Sequence, residues 1–254
     1  MVVVDATMAA IPRRVPTRDA LQRCRLISHR GEHDNRQVKE NTIAAFRAAR
    51  DAGVWGIECD IRWTRDLVPV ICHDPTADRV FGRPTAVSSL NYADLRAELP
   101  QIPTLEEVLA EFGGSTHLML EIKSEPRPAF ERQQGVLEGL LSPLTPCEDF
   151  HILSLDPVEF EFVQFLPAAC WLPVAELNVA KLSAFALERG CAGLGGHFVL
   201  LNGSFKAAHD AKSQRLGTGF PASRNALFRE LNRGIEWVFS NDAVKLQGIL
   251  DAHL

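Results

Sequence analysis

Residues 24–74, CRLISHRGEHDNRQVKENTIAAFRAARDAGVWGIECDIRWTRDLVPVICHD, decide the fold. They open on a short apolar run at 24–29 (CRLISH), cross a polar loop, and enter the amphipathic stretch 40–52 (ENTIAAFRAARDA). Ile43, Phe46 and Ala49 recur there at helical spacing, and Gly53 supplies a stop. A second apolar run follows at 56–61 (GIECDI). A third comes at 68–73 (VPVICH), after a turn near Arg65 and Asp66. Strand, helix, strand in this order is the βα unit of a parallel sheet.

The same alternation continues outward. Residues 74–101 carry no strand pattern and hold Pro75, Pro84 and Pro100, so they read as an excursion from the main architecture. Thr104 and Glu107 form a capping box that opens a helix over 104–112, and Gly113-Gly114 ends it. A strand at 117–122 (HLMLEI), a helix at 128–141 and a strand at 150–155 come next. A helix over 157–166 has Asp156 as its N-cap and Pro157 in its first turn. Weaker strands are expected at 170–175, 191–195 and 214–219, with helices at 179–189, 203–212 and 222–233. A strand at 236–240 and a helix at 242–253 close the chain. That makes nine strand candidates where a (β/α)8 barrel uses eight, and the glycine-rich 191–195 is expected to be a loop or short addition. No repeat and no Gly/Ser linker interrupts the chain, so residues 1–254 read as a single domain.

Composition limits the function classes. The chain has 254 residues, 46% hydrophobic and 23% charged, close to the globular average. This length is ordinary for one α/β barrel. A net charge of only −5 with so much apolar content excludes a disordered chain and argues against a nucleic-acid partner. No apolar run reaches the roughly 18 residues of a membrane span. The N-terminal MVVVDATMAAIPRRVP lacks a basic start and is interrupted by Asp5, so no secretion signal is expected. The six cysteines (24, 59, 72, 147, 170 and 191) contain no CxxC pair. They read as reduced thiols of a cytoplasmic protein, neither a disulfide framework nor a zinc site. A monomer or homodimer is expected.

Chemistry gathers at the strand ends. The first strand ends in His29-Arg30-Gly31, the second carries Glu58 and Asp60, the third ends in His73-Asp74, and the fourth carries Glu121 with Lys123 beyond it. Side chains at i and i+2 of a strand share a face, so Glu58 pairs with Asp60 and Glu121 with Lys123. Carboxylates inside apolar strands are costly unless paired or bound to a cation. A salt-bridged pair would explain either strand alone, but the recurrence on neighbouring strands weakens that account. Three acidic oxygen donors without cysteine suit a hard cation, Mg²⁺ or Ca²⁺. One strand-end histidine is usually structural. Two beside such a set can divide the taking and giving of a proton near neutral pH. Arg30 and Lys123 either balance the acids or hold an anionic substrate, for which Arg suits two phosphate oxygens. Together these residues describe metal-assisted chemistry on a phosphate ester.

At this point the chain resembles the glycerophosphodiester phosphodiesterase family. The resemblance lies in His29-Arg30-Gly31, Glu40-Asn41-Thr42 with Ala45-Phe46 and Ala49, and Gly56-Ile57-Glu58-Cys59-Asp60. It continues in Asp66, Val70, His73-Asp74, Pro103-Thr104-Leu105-Glu106-Glu107-Val108-Leu109 and Glu121-Ile122-Lys123, in order over about 25–125. It implies a (β/α)8 TIM barrel with a small insertion after the third strand, here residues 74–101. It also implies hydrolysis of a small-molecule glycerophosphodiester to glycerol 3-phosphate and an alcohol. Carried over by motif, His29 and His73 are the acid–base pair, with either order open. Glu58, Asp60 and Glu121 are ligands of a divalent metal, Mg²⁺ or Ca²⁺ with Mn²⁺ also admissible. Arg30 and Lys123 contact phosphate, and Glu40 orients Arg30 or supports the metal.

In the second half, His151-Ile152-Leu153-Ser154 resembles the family's fifth strand and Trp237-Val238-Phe239-Ser240-Asn241-Asp242 its closing one. The family's late Trp-Thr-Val-Asn stretch is replaced by LGTGFP at 216–221, where Phe220 is left to supply apolar surface. His33 reads as a solvated loop residue, and His117, His209 and His253 as bystanders; His197, after Gly195-Gly196, could line the barrel mouth. Two alternatives stand beside the main reading. One is a phosphodiesterase acting on lysophospholipids or sugar phosphodiesters; the other is a non-catalytic binding barrel.

Overall fold

The computed structural model describes residues 7–254, and the expectation of no secretion signal falls in part on residues outside that range. Eight parallel strands close on themselves. They are β1 (Arg25–His29), β2 (Gly56–Trp63), β4 (His117–Ile122), β5 (Phe150–Ser154), β6 (Trp171–Ala175), β7 (Gly193–His197), β8 (Arg215–Gly219) and β9 (Trp237–Ser240), and β1 pairs with both β2 and β9. Helices alternate with the strands, as in a (β/α)8 barrel.

Two expectations are corrected. The run at 68–73 is not a barrel strand: β3 (Pro69–Ile71) turns back antiparallel on the end of β2 as a hairpin. In barrel terms, the excursion at 74–101 therefore leaves between the second and third parallel strands. Conversely, the glycine-rich stretch near 191–195 is no loop, because β7 runs parallel between β6 and β8. Its glycines answer a steric demand. A Cβ on Gly193 would lie 1.7 Å from the Arg215 carbonyl oxygen, so only glycine lets the backbones approach that closely.

Two smaller departures also have local causes. The helix expected from 40 begins at Ile43, capped by the Thr42 hydroxyl, because Asn41 adopts a left-handed φ of 56°. The segment after Asp156 is a 3-10 helix (Pro157–Val163), whose first turn Asp156 caps as expected. The capping box of Thr104 and Glu107 on the helix Leu105–Phe112 forms in full.

The largest apolar cluster, including Phe46, Ile57, Phe112, Leu118 and Phe228, lies between the strands and the helices. A smaller one joins Ile27, Met119, Leu153, Leu172, Trp237 and Phe239 inside the barrel. Period two puts Ile27 on the face of His29 and Met119 on that of Glu121. That plug thus sits directly beneath the polar strand ends. Residues 74–101 include the short helices Asp78–Phe81 and Tyr92–Glu98, and Ala77, Val87, Leu95 and Leu99 pack with Ile102, Val70 and Cys72 in a core of their own. All six cysteines are free thiols, and five are buried. No helix among the described residues is long and apolar enough to cross a membrane.

Candidate active site

Strand register assembles the site. His29 of β1 stands opposite Glu58 of β2, and Asp60 of β2 opposite Glu121 of β4. The chain leaves β1 through a tight turn. Arg30 has a φ of 61°, and its N–H donates to the Glu58 carbonyl at 2.9 Å and to Glu58 Oε2 at 3.1 Å. Gly31 follows with a φ of 78°, and any Cβ there would meet Ala45 at 2.7 Å. The family-like His-Arg-Gly triplet thus has a backbone reason for its glycine.

Glu58, Asp60 and Glu121 are buried, with one carboxylate oxygen from each lying within 4.8 Å of the others. Lys123 reaches in with Nζ 2.7 Å from Asp60 Oδ1, and it also donates to Glu121 Oε1. Arg30 Nε lies 3.4 Å from Asp60 Oδ2, to which Asn41 Nδ2 donates at 2.7 Å. These neighbours divide the acids. Burial pushes Asp60 up, but Lys123 and Arg30 outweigh it and hold its carboxyl at about 2. Burial, reinforced by the Asp60 and Glu121 charges, pushes Glu58 well above the usual carboxylate range. Burial also raises Glu121, with Asp60 adding to it. Glu58 Oε1 is buried and accepts no hydrogen bond. A buried, unpartnered oxygen beside two more carboxylates is costly as it stands, and it fits a hard divalent cation.

His29 lies 3.8 Å from Glu58 Oε2 through Nε2, and its Nδ1 is 2.6 Å from Asn241 Oδ1. An amide oxygen only accepts, so Nδ1 carries the proton and Nε2 is bare. Phe220 packs edge-on at 4.9 Å. Burial, with Arg30 adding to it, lowers His29 to about 4, so the ring is neutral at neutral pH. His73 hydrogen-bonds Asp74 Oδ1 through Nδ1 at 2.7 Å, which again leaves Nε2 bare. Burial lowers His73; the Asp60 charge and the Asp74 hydrogen bond oppose it, while Lys123 and Arg30 add to it.

Glu40 lies at the rim, where it accepts from Arg30 at 2.9 Å, from Asn35 at 2.6 Å and from both terminal nitrogens of Arg79 at 2.9 and 2.6 Å. Burial pushes its carboxyl up, but these donors outweigh burial and hold it well below the ordinary range. Beside His73, Glu121 and Lys123 a cavity of about 490 Å³ extends past Ser154 and Asp156 to Asn178 and Lys181.

All eight residues singled out from the sequence gather at this end of the barrel. Asn41, Asn241 and Arg79, which touch Asp60, His29 and Glu40, were not singled out. Asn41 follows Glu40 in sequence and Asn241 follows the closing strand, but neither stands where an i, i+2 pattern would mark it. His33 is corrected: it is no solvated loop residue, since its ring is held by the Gly31 carbonyl at 2.8 Å and faces Glu40 at 3.9 Å. Ser154 lines the cavity while its hydroxyl donates to the Ile122 carbonyl.

Residues 29–142, a little under half of the chain, match the model of the glycerophosphoryl diester phosphodiesterase family. Glycerophosphodiester phosphodiesterase 1 of Mus musculus is 39% identical over 117 residues, which cover 38% of this chain and 34% of that protein. The chain thus spans about a third of the length of that curated relative. Two solved structures share the fold. One is the glycerophosphodiester phosphodiesterase of Thermotoga maritima, with a TM-score of 0.75 at 18% identity, covering 89% of this chain and 98% of that one. The other is an Oleispira antarctica phosphodiesterase in complex with the product sn-glycerol-3-phosphate, with a TM-score of 0.74 at 22% identity, covering 89% and 96%.

Proposed function

We propose that this chain, which carries the sequence of the glycerophosphodiester phosphodiesterase family in its first half and the family's barrel throughout, hydrolyses glycerophosphodiesters to glycerol 3-phosphate and an alcohol. One observation carries the reading. Two neutral imidazoles with bare Nε2 atoms, three buried carboxylates, one lysine and one arginine converge on a single rim beside a polar cavity.

In this reading Glu58, Asp60 and Glu121 hold a divalent cation, Mg²⁺, Ca²⁺ or Mn²⁺. When bound, that ion neutralises charge on the phosphoryl oxygens. Arg30 and Lys123 bind the remaining phosphate charge, with Glu40 keeping the Arg30 guanidinium in place. The two histidines have unlike partners. His29 rests on a neutral amide and suits the base, which takes a proton at Nε2 from water or from a substrate hydroxyl. His73 rests on a carboxylate that stabilises its imidazolium; with a proton taken up from solvent at Nε2, it suits the acid that delivers that proton to the departing alkoxide.

A second substrate class has an observation of its own. Leu155 lines the cavity while 38% exposed, and Val158 in the following 3-10 helix and Leu177 after β6 are 63% and 92% exposed. An apolar rim beside the cavity favours a substrate that keeps one acyl chain, a lysophospholipid.

The test is glycerol 3-phosphate release from glycerophosphocholine, glycerophosphoethanolamine and glycerophosphoglycerol by metal-stripped protein with Mg²⁺, Ca²⁺ or Mn²⁺ restored. Metal-dependent release supports the main reading. No release from these diesters, with choline freed from lysophosphatidylcholine, moves the substrate to the lysolipid. Neither product together with no metal binding leaves a binding barrel.

A further inference from the structure

We propose that Arg79, contributed by the excursion and not by the barrel, is a positioning residue that holds Asp74 so that the His73 ring stays turned toward the carboxylate cluster. The rate effect, though not the structural one, rests on the phosphodiesterase reading.

His73 needs such support. β3 ends at Ile71, so His73 lies two residues beyond the last strand residue. Its carbonyl accepts from Arg62 at 2.8 Å, and the preceding Cys72 N–H donates to the Asp60 carbonyl. Ring orientation therefore falls to side chains. Asp74 divides its two oxygens. Oδ1 accepts from His73 Nδ1 at 2.7 Å, and Oδ2 accepts from Arg79 Nε at 2.6 Å. The carboxylate is thus fixed at both ends.

Arg79 is itself fixed. Its two terminal nitrogens donate to the two oxygens of Glu40, the carboxylate that also accepts from Arg30. The guanidinium fork engages two carboxylates at once through three separate nitrogens, a geometry that a lysine ammonium does not reproduce. The helix Asp78–Phe81 presents it next to Ala77, which is buried in the excursion's own core. An unbroken chain of charged contacts, Arg30–Glu40–Arg79–Asp74–His73, therefore joins the end of the first strand to the segment after the third. Glu40 also keeps Asn35 and Arg30 when Arg79 is removed, so Arg30 retains its support.

The experiment uses the full chain with Arg79→Ala and Arg79→Lys, each alone and with Asp74→Asn. The first readout is the ¹⁵N spectrum of the His73 ring, which needs no substrate. The parent protein shows one tautomer, with the proton on Nδ1, and Arg79→Ala mixes the two. The second is turnover of glycerophosphocholine. Arg79→Ala lowers kcat roughly 10–100-fold, as loss of a supporting partner does, with KM changed far less. Arg79→Lys restores part of kcat, and Arg79→Ala adds nothing in the Asp74→Asn background. An unchanged His73 spectrum overturns the proposal. So does an equal kcat loss with or without Asp74. Should Arg79→Ala fail to fold, the same spectral comparison is made on Arg79→Lys. A parent protein inert on every diester would sink the phosphodiesterase reading and leave the spectral test standing.

Discussion

His29 and His73 differ in what holds them, a neutral amide for one and a carboxylate for the other. Each is expected to be needed. His29→Ala and His73→Ala should each lower kcat by about 10²–10⁴ on a glycerophosphodiester, measured as glycerol 3-phosphate release. Near-normal turnover in either variant would remove that histidine from the chemistry. The carboxylates permit a test without turnover. A saturating divalent cation, at about 100 times its Kd, should add about 2.7 kcal/mol of stability and raise Tm by roughly 5–10 °C. Glu58→Gln should shrink that rise, because Glu58 Oε1 is the buried oxygen with no donor of its own. An equal rise in the variant would place the ion elsewhere. At this scale the i, i+2 carboxylates and the strand-end histidines were legible in the sequence. Asn41, Asn241 and Arg79 were not, because two reach the site from loops and the third from the excursion's short helix, where no strand periodicity marks them.

Elements differ in how much of their cause is local. The helix Leu105–Phe112 is announced by Thr104 and Glu107, and both halves of its capping box form. Thr104→Ala should cost about 1 kcal/mol and lower Tm by roughly 2–4 °C, read by thermal unfolding. β7 is the opposite case. GLGGH has poor strand propensity, and the strand exists because its backbone approaches β8 closely enough to demand glycine. Gly193→Ala should destabilise by about 3 kcal/mol, since the new methyl meets a carbonyl oxygen and not a yielding side chain. A neutral outcome would show that β7 and β8 can part there. The hairpin strand β3 failed differently. The apolar run at 68–73 has the length of a barrel strand, but only Pro69–Ile71 pair, and their partner, the end of β2, makes them antiparallel.

At the scale of the molecule, the end of the barrel opposite the site holds a second pair of imidazoles. His117 and His151 are buried and hydrogen-bonded to each other at 2.9 Å, with Trp55 stacked on His117 and Trp237 edge-on to His151. Burial lowers His117 to about 4. Burial, with His117 and Arg215 adding to it, lowers His151 to about 3. The unfolded chain takes up these protons near pH 6.5, and the folded one refuses them until far lower. Stability is therefore at its full value above about pH 6.5 and falls as pH drops toward 4, by at most about 1.4 kcal/mol per pH unit for each ring. Urea unfolding between pH 7 and pH 4.5 should follow that slope, and a His117→Gln variant should show a shallower one whatever its absolute stability. An unchanged slope would assign the acid sensitivity to other groups.

The sequence by itself determined the alternation of strands and helices, the caps at Thr104 and Asp156 and the eight residues that meet at the site. These properties lie in spacing, propensity and residue type, which a linear chain displays. Tertiary structure alone decided which eight of the nine candidates make the barrel, which backbones approach too closely for a side chain, and which distant asparagines and arginine hold the site in place. Those outcomes depend on pairing and packing between segments far apart in the chain. There, hydrogen-bond register and steric contact, not local preference, select the arrangement.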